Sequence, residues 1–178
     1  AAKSGLPDLL DRLLAAPVSF GLERPAHSVV WDPDPTSPRF LDRTGPVPRR
    51  RTRALLKVQD GCDQTCTYCV VRRLRGRPVS RDPQAVLAEA RRLAAAGFRE
   101  LVLTGVNLGL YGMPAVAPGA RPAPGDHRRL VRLLEQLAAI EGLERIRLSS
   151  IEPMLLTDEL IDALGASERL APSLHLPL

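Results

Sequence analysis

The sequence predicts an α/β fold, a partial parallel (βα) barrel of about four strands and three helices behind an irregular proline-rich linker. Three observations predict it. From residue 54 onward, strand-like and helix-like segments alternate in the order of parallel βα units. Several strand-like segments are polar on one face only, which suits a curved sheet with helices outside and a wet interior. Finally, the cysteine-rich and polar loops follow the carboxyl ends of strands, where such folds carry their chemistry.

The elements follow in order. Residues 1–48 read as a linker, or as the tail of a further domain. Leu6, Leu9, Leu10, Leu13 and Leu14 predict a short amphipathic helix stopped at Pro17. Pro25, Pro33, Pro35, Pro38, Pro46 and Pro48 then exclude regular helix, and only Val29-Val30-Trp31 resembles a strand. Trp31 and Phe40 are candidates to anchor this stretch on a neighbouring surface.

Residues 49–178 read as the barrel unit. Ala54–Gln59 is the first strand, followed by the cysteine loop. Asp82-Pro83 starts a helix, with Asp82 as N-cap and Pro83 in the first turn. Its apolar stripe is Val86, Leu87, Ala90, Leu93 and Ala94, and Gly97 supplies the stop. Glu100–Thr104 is the second strand, Arg128–Ile140 the second helix and Arg145–Ser149 the third strand. Asp158–Leu164 is a short third helix, and Ser173–Leu176 a fourth strand. The stretch Met113–Gly125, with Pro114, Pro118, Pro122 and Pro124, reads as a mobile surface insertion.

Alternation within the strands separates two faces. Lys57 and Gln59 oppose Leu56 and Val58; Arg145, Arg147 and Ser149 oppose Ile146 and Leu148; Ser173 and His175 oppose Leu174 and Leu176. A parallel sheet covered on both sides would be apolar on both faces.

A chain of 178 residues with 44% hydrophobic content can bury one substantial core. No apolar run approaches the ~18 residues that would span a bilayer, so a soluble protein with no membrane contact is expected, and cysteines kept for a metal fit a reducing cytoplasm. Aromatics at 3% leave few platforms for stacking bases. The net charge of +5 is unevenly placed. Between Arg49 and Arg81 stand nine arginines and Lys57 against Asp60 and Asp63, a local sum of +8, so the remainder sums to −3. That belt around the cysteines suits a polyanion such as RNA, with Arg75 and Arg81 as candidate phosphate ligands. The plainer alternative is an arginine-rich composition that decorates surfaces.

The sharpest signal is GCDQTCTYC. It holds all three cysteines of the chain, Cys62, Cys66 and Cys69, spaced x3 and x2. Thiolates suit zinc, copper(I) or iron–sulfur clusters. Closed zinc sites and ordinary iron–sulfur clusters take four protein ligands. Three ligands without a fourth suggest a metal site with one open position. A disulfide role would leave an odd thiol. A zinc site completed by a histidine is the other alternative, although His27, His127 and His175 stand at no short ligand spacing from the cysteines.

This spacing, with Tyr68 just before the last cysteine, resembles the cluster loop of the radical S-adenosylmethionine (SAM) enzymes. The resemblance implies a radical SAM type of barrel and a [4Fe-4S] cluster on Cys62, Cys66 and Cys69. Its open iron would bind SAM, with Tyr68 lining the adenine side. One-electron cleavage of SAM would then give a 5′-deoxyadenosyl radical.

The runs KVQDGCDQTCTYCVV, RGRPVSR, LVLTGVNLGLYG, RIRLSSIEP and LHLPL resemble one branch, the methylthiotransferases. Glu152 before Pro153 is similar to the branch that modifies N6-threonylcarbamoyladenosine in tRNA, where the isopentenyladenosine branch typically has histidine. Val106-Asn107 departs from the Gln or His that family members often carry there. The resemblance implies insertion of a methylthio group at C2 of the modified adenosine next to the anticodon. It also implies a second [4Fe-4S] cluster in an N-terminal domain that this chain lacks, a reductant protein as electron donor, and a monomer in the full-length form. Residues 1–48 would be a linker and 49–178 the first half of the radical SAM domain. Gly105, Asn107 and Glu152 become candidates for SAM contacts alongside Tyr68. His175 would line the interior, and no residue is singled out as a general acid or base. Methylthiolation of a ribosomal-protein aspartate and a non-catalytic zinc-binding RNA module are the other readings.

Overall fold

Three parallel strands, β1 (Arg53–Lys57), β4 (Glu100–Thr104) and β5 (Arg145–Leu148), form the main sheet in the order β1–β4–β5. The computed structural model describes residue 40, residues 52–114 and residues 127–177. The expected helix at Leu6–Leu14, the Val29-Val30-Trp31 strand and most of the Met113–Gly125 insertion lie outside the described residues. Two short strands, β2 (Gln59–Asp60) and β3 (Val79–Ser80), pair antiparallel beside the main sheet. The helices are α1 (Val71–Arg75), α2 (Pro83–Ala95), α3 (Arg128–Ala138) and α4 (Asp158–Gly165).

Register follows the apolar pattern. Ala54 faces Leu101, and Leu56 faces Leu103; on the other side Leu101 faces Ile146, and Leu103 faces Leu148. All six are buried. α2 packs on β1 and α3, while α3 packs on β5 and α4. Val86, Leu87, Ala90 and Leu93 from α2 meet Leu130, Leu133, Leu134 and Leu137 from α3 in one core with the strands. The opposite face of the sheet has no helix on it among the described residues. It carries Arg53, Leu55 and Lys57 from β1, Glu100, Val102 and Thr104 from β4, and Arg145 and Arg147 from β5. The polar-faced sheet with helices on one side is therefore as the alternation predicts. Glu100 binds Arg53 and Arg147 at 3.1 Å each, an ion-pair ladder across all three strands.

The helix ends follow from local chemistry. Asp82 Oδ2 accepts from Ala85 N at 2.9 Å, satisfying one free amide of α2, and Pro83 needs no donor in that first turn. At the other end Gly97 takes φ +93°; Gly97 N donates to Ala94 O and Phe98 N to Leu93 O, a Schellman closure with Phe98 buried behind it. Thr157 Oγ1 caps α4 through Leu160 N at 3.4 Å.

Two expectations are corrected. The first strand is broken at Val58, whose N–H still bonds Thr104 O while its carbonyl turns to Arg81 N. Gln59 and Asp60 thereby leave the main sheet and pair with Ser80 and Val79. The expected strand Ser173–Leu176 does not form a ladder. The chain meets β5 and the residues just after it through two isolated bridges, Ile146 with Leu170 and Ser150 with His175. Pro172 and Pro177 flank the segment and lack the amides a continuous parallel ladder requires. No helix among the described residues is long and apolar enough to cross a membrane.

Candidate active site

Four segments meet at the carboxyl ends of the parallel strands. The first is the cysteine loop, which leaves β2 and returns through α1 to β3. Its base is closed by the β2–β3 pair and by Cys62 N donating to Gly76 O at 3.1 Å. Gly61, at φ +71°, lies flat against the returning chain. The second segment, Gly105 to Leu110, follows β4. The third, Ser149 to Leu155, follows β5, and the fourth is the stretch around His175.

Hydrogen bonds tie these segments together. Leu108 N donates to Ser150 O at 3.1 Å, and Ile151 N to His175 O at 3.1 Å. Ser150 Oγ and His175 Nδ1 are 2.7 Å apart. The buried His127 Nε2 meets Leu155 O, fixing the start of α3 to the loop after β5. The three loops singled out from the sequence therefore lie on one rim.

Within the cysteine loop, Cys62 is half-buried while Cys66 and Cys69 are exposed, and all three thiols are free. A turn joins Cys69 N to Cys66 O at 3.1 Å. Gln64 N points at Cys62 Sγ, 3.4 Å away. Burial pushes the Cys62 thiol up; the Gln64 amide opposes that, and the charges of Asp63, Cys66 and Cys69 add to it. Among the described residues, no three His, Cys, Asp or Glu side chains converge on a metal position. The donors nevertheless fit a soft metal group in kind: three free thiols on one loop.

The other predicted residues fall as follows. Tyr68 is 90% exposed between Cys66 and Cys69 in sequence. Gly105 lies against Gln59: a Cβ there would stand 2.8 Å from Gln59 Oε1. Asn107 is buried, its Oδ1 accepting from Gly109 N at 3.2 Å. Asn107 Nδ2 and Ser149 Oγ are buried and have no hydrogen-bond partner among the described residues. Two such polar atoms at the rim are what a polar ligand would satisfy. Glu152 is half-buried and heads the 3-10 turn Pro153–Leu155, where its carbonyl accepts from Leu155 N.

The arginine belt divides. Asp60 is buried between Lys57 and Arg75, with Arg75 Nη1 at 3.1 Å. Arg81 is 8% exposed and pairs with Glu89, so its guanidinium is part of the fold rather than a surface offered to phosphate. Arg75 keeps partial exposure beside the loop. Arg73 and Arg77 are exposed and Arg72 half-exposed, and none has a carboxylate partner among the described residues. Charge counting along the sequence includes these three, but it cannot separate them from the arginines that Asp60, Glu89 and Glu100 neutralise.

Gln59 is the residue the sequence misplaces. Alternation puts it on the polar face beside Lys57; in the structure it is fully buried, with Nε2 donating to Asp60 O at 2.9 Å and Gly61 O at 2.7 Å. Its Oε1 accepts from Asn107 N at 2.9 Å. Clefts of about 480 Å³ lie between α2 and α3, one reaching Tyr111, Arg129 and Arg132, and neither includes a cysteine or a rim residue named above.

The fold is thus a parallel α/β scaffold that carries a three-thiol loop and two further strand-end loops on one rim. Residues 56–177 match the Radical SAM superfamily, and the chain belongs to that superfamily. Among curated proteins it is 40% identical over 129 residues to the threonylcarbamoyladenosine tRNA methylthiotransferase MtaB of Bacillus subtilis, covering 72% of this chain and 26% of that protein. It is 39% identical over 177 residues to the tRNA-2-methylthio-N(6)-dimethylallyladenosine synthase of Acidithiobacillus ferrooxidans, covering 97% and 35%. The protein of that name from Mycolicibacterium paratuberculosis is 39% identical over 125 residues, covering 70% and 24%. The chain spans about a quarter to a third of the length of these relatives.

Proposed function

We propose that the chain is the cluster- and SAM-binding part of a tRNA methylthiotransferase, acting at C2 of N6-threonylcarbamoyladenosine next to the anticodon. The observation that carries this reading is the three-thiol loop held on one rim with the Gly105–Asn107 and Ser149–Glu152 loops. Cys62, Cys66 and Cys69 would hold a [4Fe-4S] cluster, which when bound supplies the electron that cleaves SAM. Tyr68, Gly105, Asn107 and Glu152 would receive the rest of SAM. For Asn107 the support is its buried side-chain amide, which has no partner among the described residues; Gly105 enters by its place in the same loop, its Cα packed against Gln59 and Leu108.

Recognition of tRNA draws on the exposed part of the basic belt. Arg72, Arg73 and Arg77 stand beside the loop without acidic partners among the described residues, and Arg75 flanks them while bound to Asp60. Arg81 is left out of this role, since it is buried against Glu89. Under this reading the working protein is a cytoplasmic monomer served by a reductant protein. A further domain with a second [4Fe-4S] cluster would donate the sulfur. Residues 1–48 would lead from that domain, and 49–178 would form the first half of the radical SAM unit.

The test is 5′-deoxyadenosine formation by the anaerobically reconstituted protein with dithionite and SAM, compared with Cys66→Ala. Product that vanishes in the variant supports the reading; zinc in place of iron, with no product, sinks it. Mass spectrometry of tRNA then decides the nucleoside. Methylthio on isopentenyladenosine instead would favour the second reading, which the similarity to dimethylallyladenosine synthases supports.

A further inference from the structure

We infer that Gln59 is a positioning residue that couples the cysteine loop to the loop after β4, so that the cluster thiols and the SAM-binding backbone keep a fixed relation. The inference rests on the reading of these two loops as cluster and SAM sites. Gln59 is fully buried at the point where the chain leaves the main sheet for the cysteine loop. Its amide is saturated: both Nε2 hydrogens go to carbonyls, those of Asp60 and Gly61, and Oε1 takes the Asn107 N–H. This network fixes the orientation of the amide, because the reverse would set Oε1 against two carbonyl oxygens and Nε2 against an N–H.

The hydrogen bond spans 48 positions of sequence. It joins the strand that leads into Cys62 to Asn107, whose own side-chain Nδ2 is buried without a partner among the described residues. Gly105 lets the arrangement close. A methyl group there would fall 2.8 Å from Gln59 Oε1 and 3.0 Å from Gln59 Cβ. No other natural side chain offers two donors and an acceptor at this length. Glutamate would place a carboxylate oxygen against the Asp60 and Gly61 carbonyls, and a hydrocarbon would leave the buried Gly61 carbonyl and Asn107 amide without these partners. Outer-shell partners of this kind typically change binding or activity about 10–100-fold when removed.

The experiment compares the reconstituted wild-type protein with Gln59→Met and, independently, Gly105→Ala, which presses on the same amide from the other side. Three quantities are read: iron per protein, the EPR spectrum of the reduced cluster with and without SAM, and thermal melting. The expected result is iron content near wild type in at least one variant, with the SAM concentration for the spectral change raised about tenfold or more. A SAM response equal to wild type in both variants overturns the inference. So does a loss of iron and melting temperature in step in both, with the residual cluster answering SAM normally, since that marks a purely structural role. A wild-type protein that takes up iron yet never responds to SAM overturns instead the functional reading beneath it.

Discussion

Gly61 and Arg77 touch backbone to backbone: a Cβ on Gly61 would stand 2.0 Å from the Arg77 carbonyl oxygen. The left-handed φ of +71° and this close approach together exclude every residue but glycine. Gly61→Ala must therefore spring the base of the cysteine loop, breaking the Cys62 N to Gly76 O bond. We expect the variant to keep its main sheet but to lose most of its iron on reconstitution, measured as iron per protein against a circular dichroism control.

On the open face, Glu100 is the sole acid in the ladder Arg53–Glu100–Arg147 among the described residues. Glu100→Gln removes its charge and leaves two arginines facing each other across β4. The pairs are partly solvated, so the loss should be modest, about 1 kcal/mol in urea unfolding, and smaller at high salt. A double-mutant cycle with Arg147→Met isolates the Arg147 share.

Tyr111 gives the fold a pH signature. Its hydroxyl is buried and donates to Arg81 O at 3.1 Å; burial, then the Asp82 charge, pushes its pKa up to about 12, against a smaller opposing pull from Arg129. The neutral phenol is favoured in the fold, so the native state holds its proton where the unfolded chain releases it. This stabilisation is fully present below the ordinary pKa of about 10 and is lost as pH rises through about 12. Comparing wild type with Tyr111→Phe between pH 9 and 12 (both limits approximate) should show a steeper fall in the wild type's unfolding free energy. Parallel curves would refute it.

The arginines around the loop should separate by experiment. On the proposed tRNA reading, replacing Arg73 and Arg77 with Ala should weaken tRNA binding with no change in melting. The salt slope should fall by about one for each phosphate that is no longer neutralised. Arg81→Ala should do the reverse. It leaves the half-buried Glu89 with only the more distant Arg92, 3.9 Å away, at a cost of up to about 3 kcal/mol, and leaves the salt slope as it was.

Much of the fold could be read before the structure because its signals are local. Asp82-Pro83 and Gly97 bound α2, and the strands expected at Glu100–Thr104 and Arg145–Ser149 match β4 and β5 to within a residue. What sequence alone misses depends on partners far along the chain. Gln59 obeys strand alternation only if β1 runs straight; the break at Val58, whose carbonyl turns to Arg81, turns it inward to meet Asn107. The expected strand at 173–176 shows the apolar alternation of a strand, but proline on both sides limits it to single bridges. Likewise Arg81 reads as surface charge until Glu89, one helix face away, is seen to claim it. The cysteine motif was legible because spacing within one loop needs no tertiary knowledge.

The base of the cysteine loop is zipped by protein alone, through the β2–β3 pair, Gly61 against Arg77, and Asp60 gripped by Lys57 and Arg75. Among the described residues, no thiol takes part in that closure. On the proposed reading, the residues that close the loop and the thiols that would hold the cluster are therefore separate sets. A chelator should strip such a protein without unravelling it, and the emptied chain should remain a competent recipient for the next delivery of iron and sulfide.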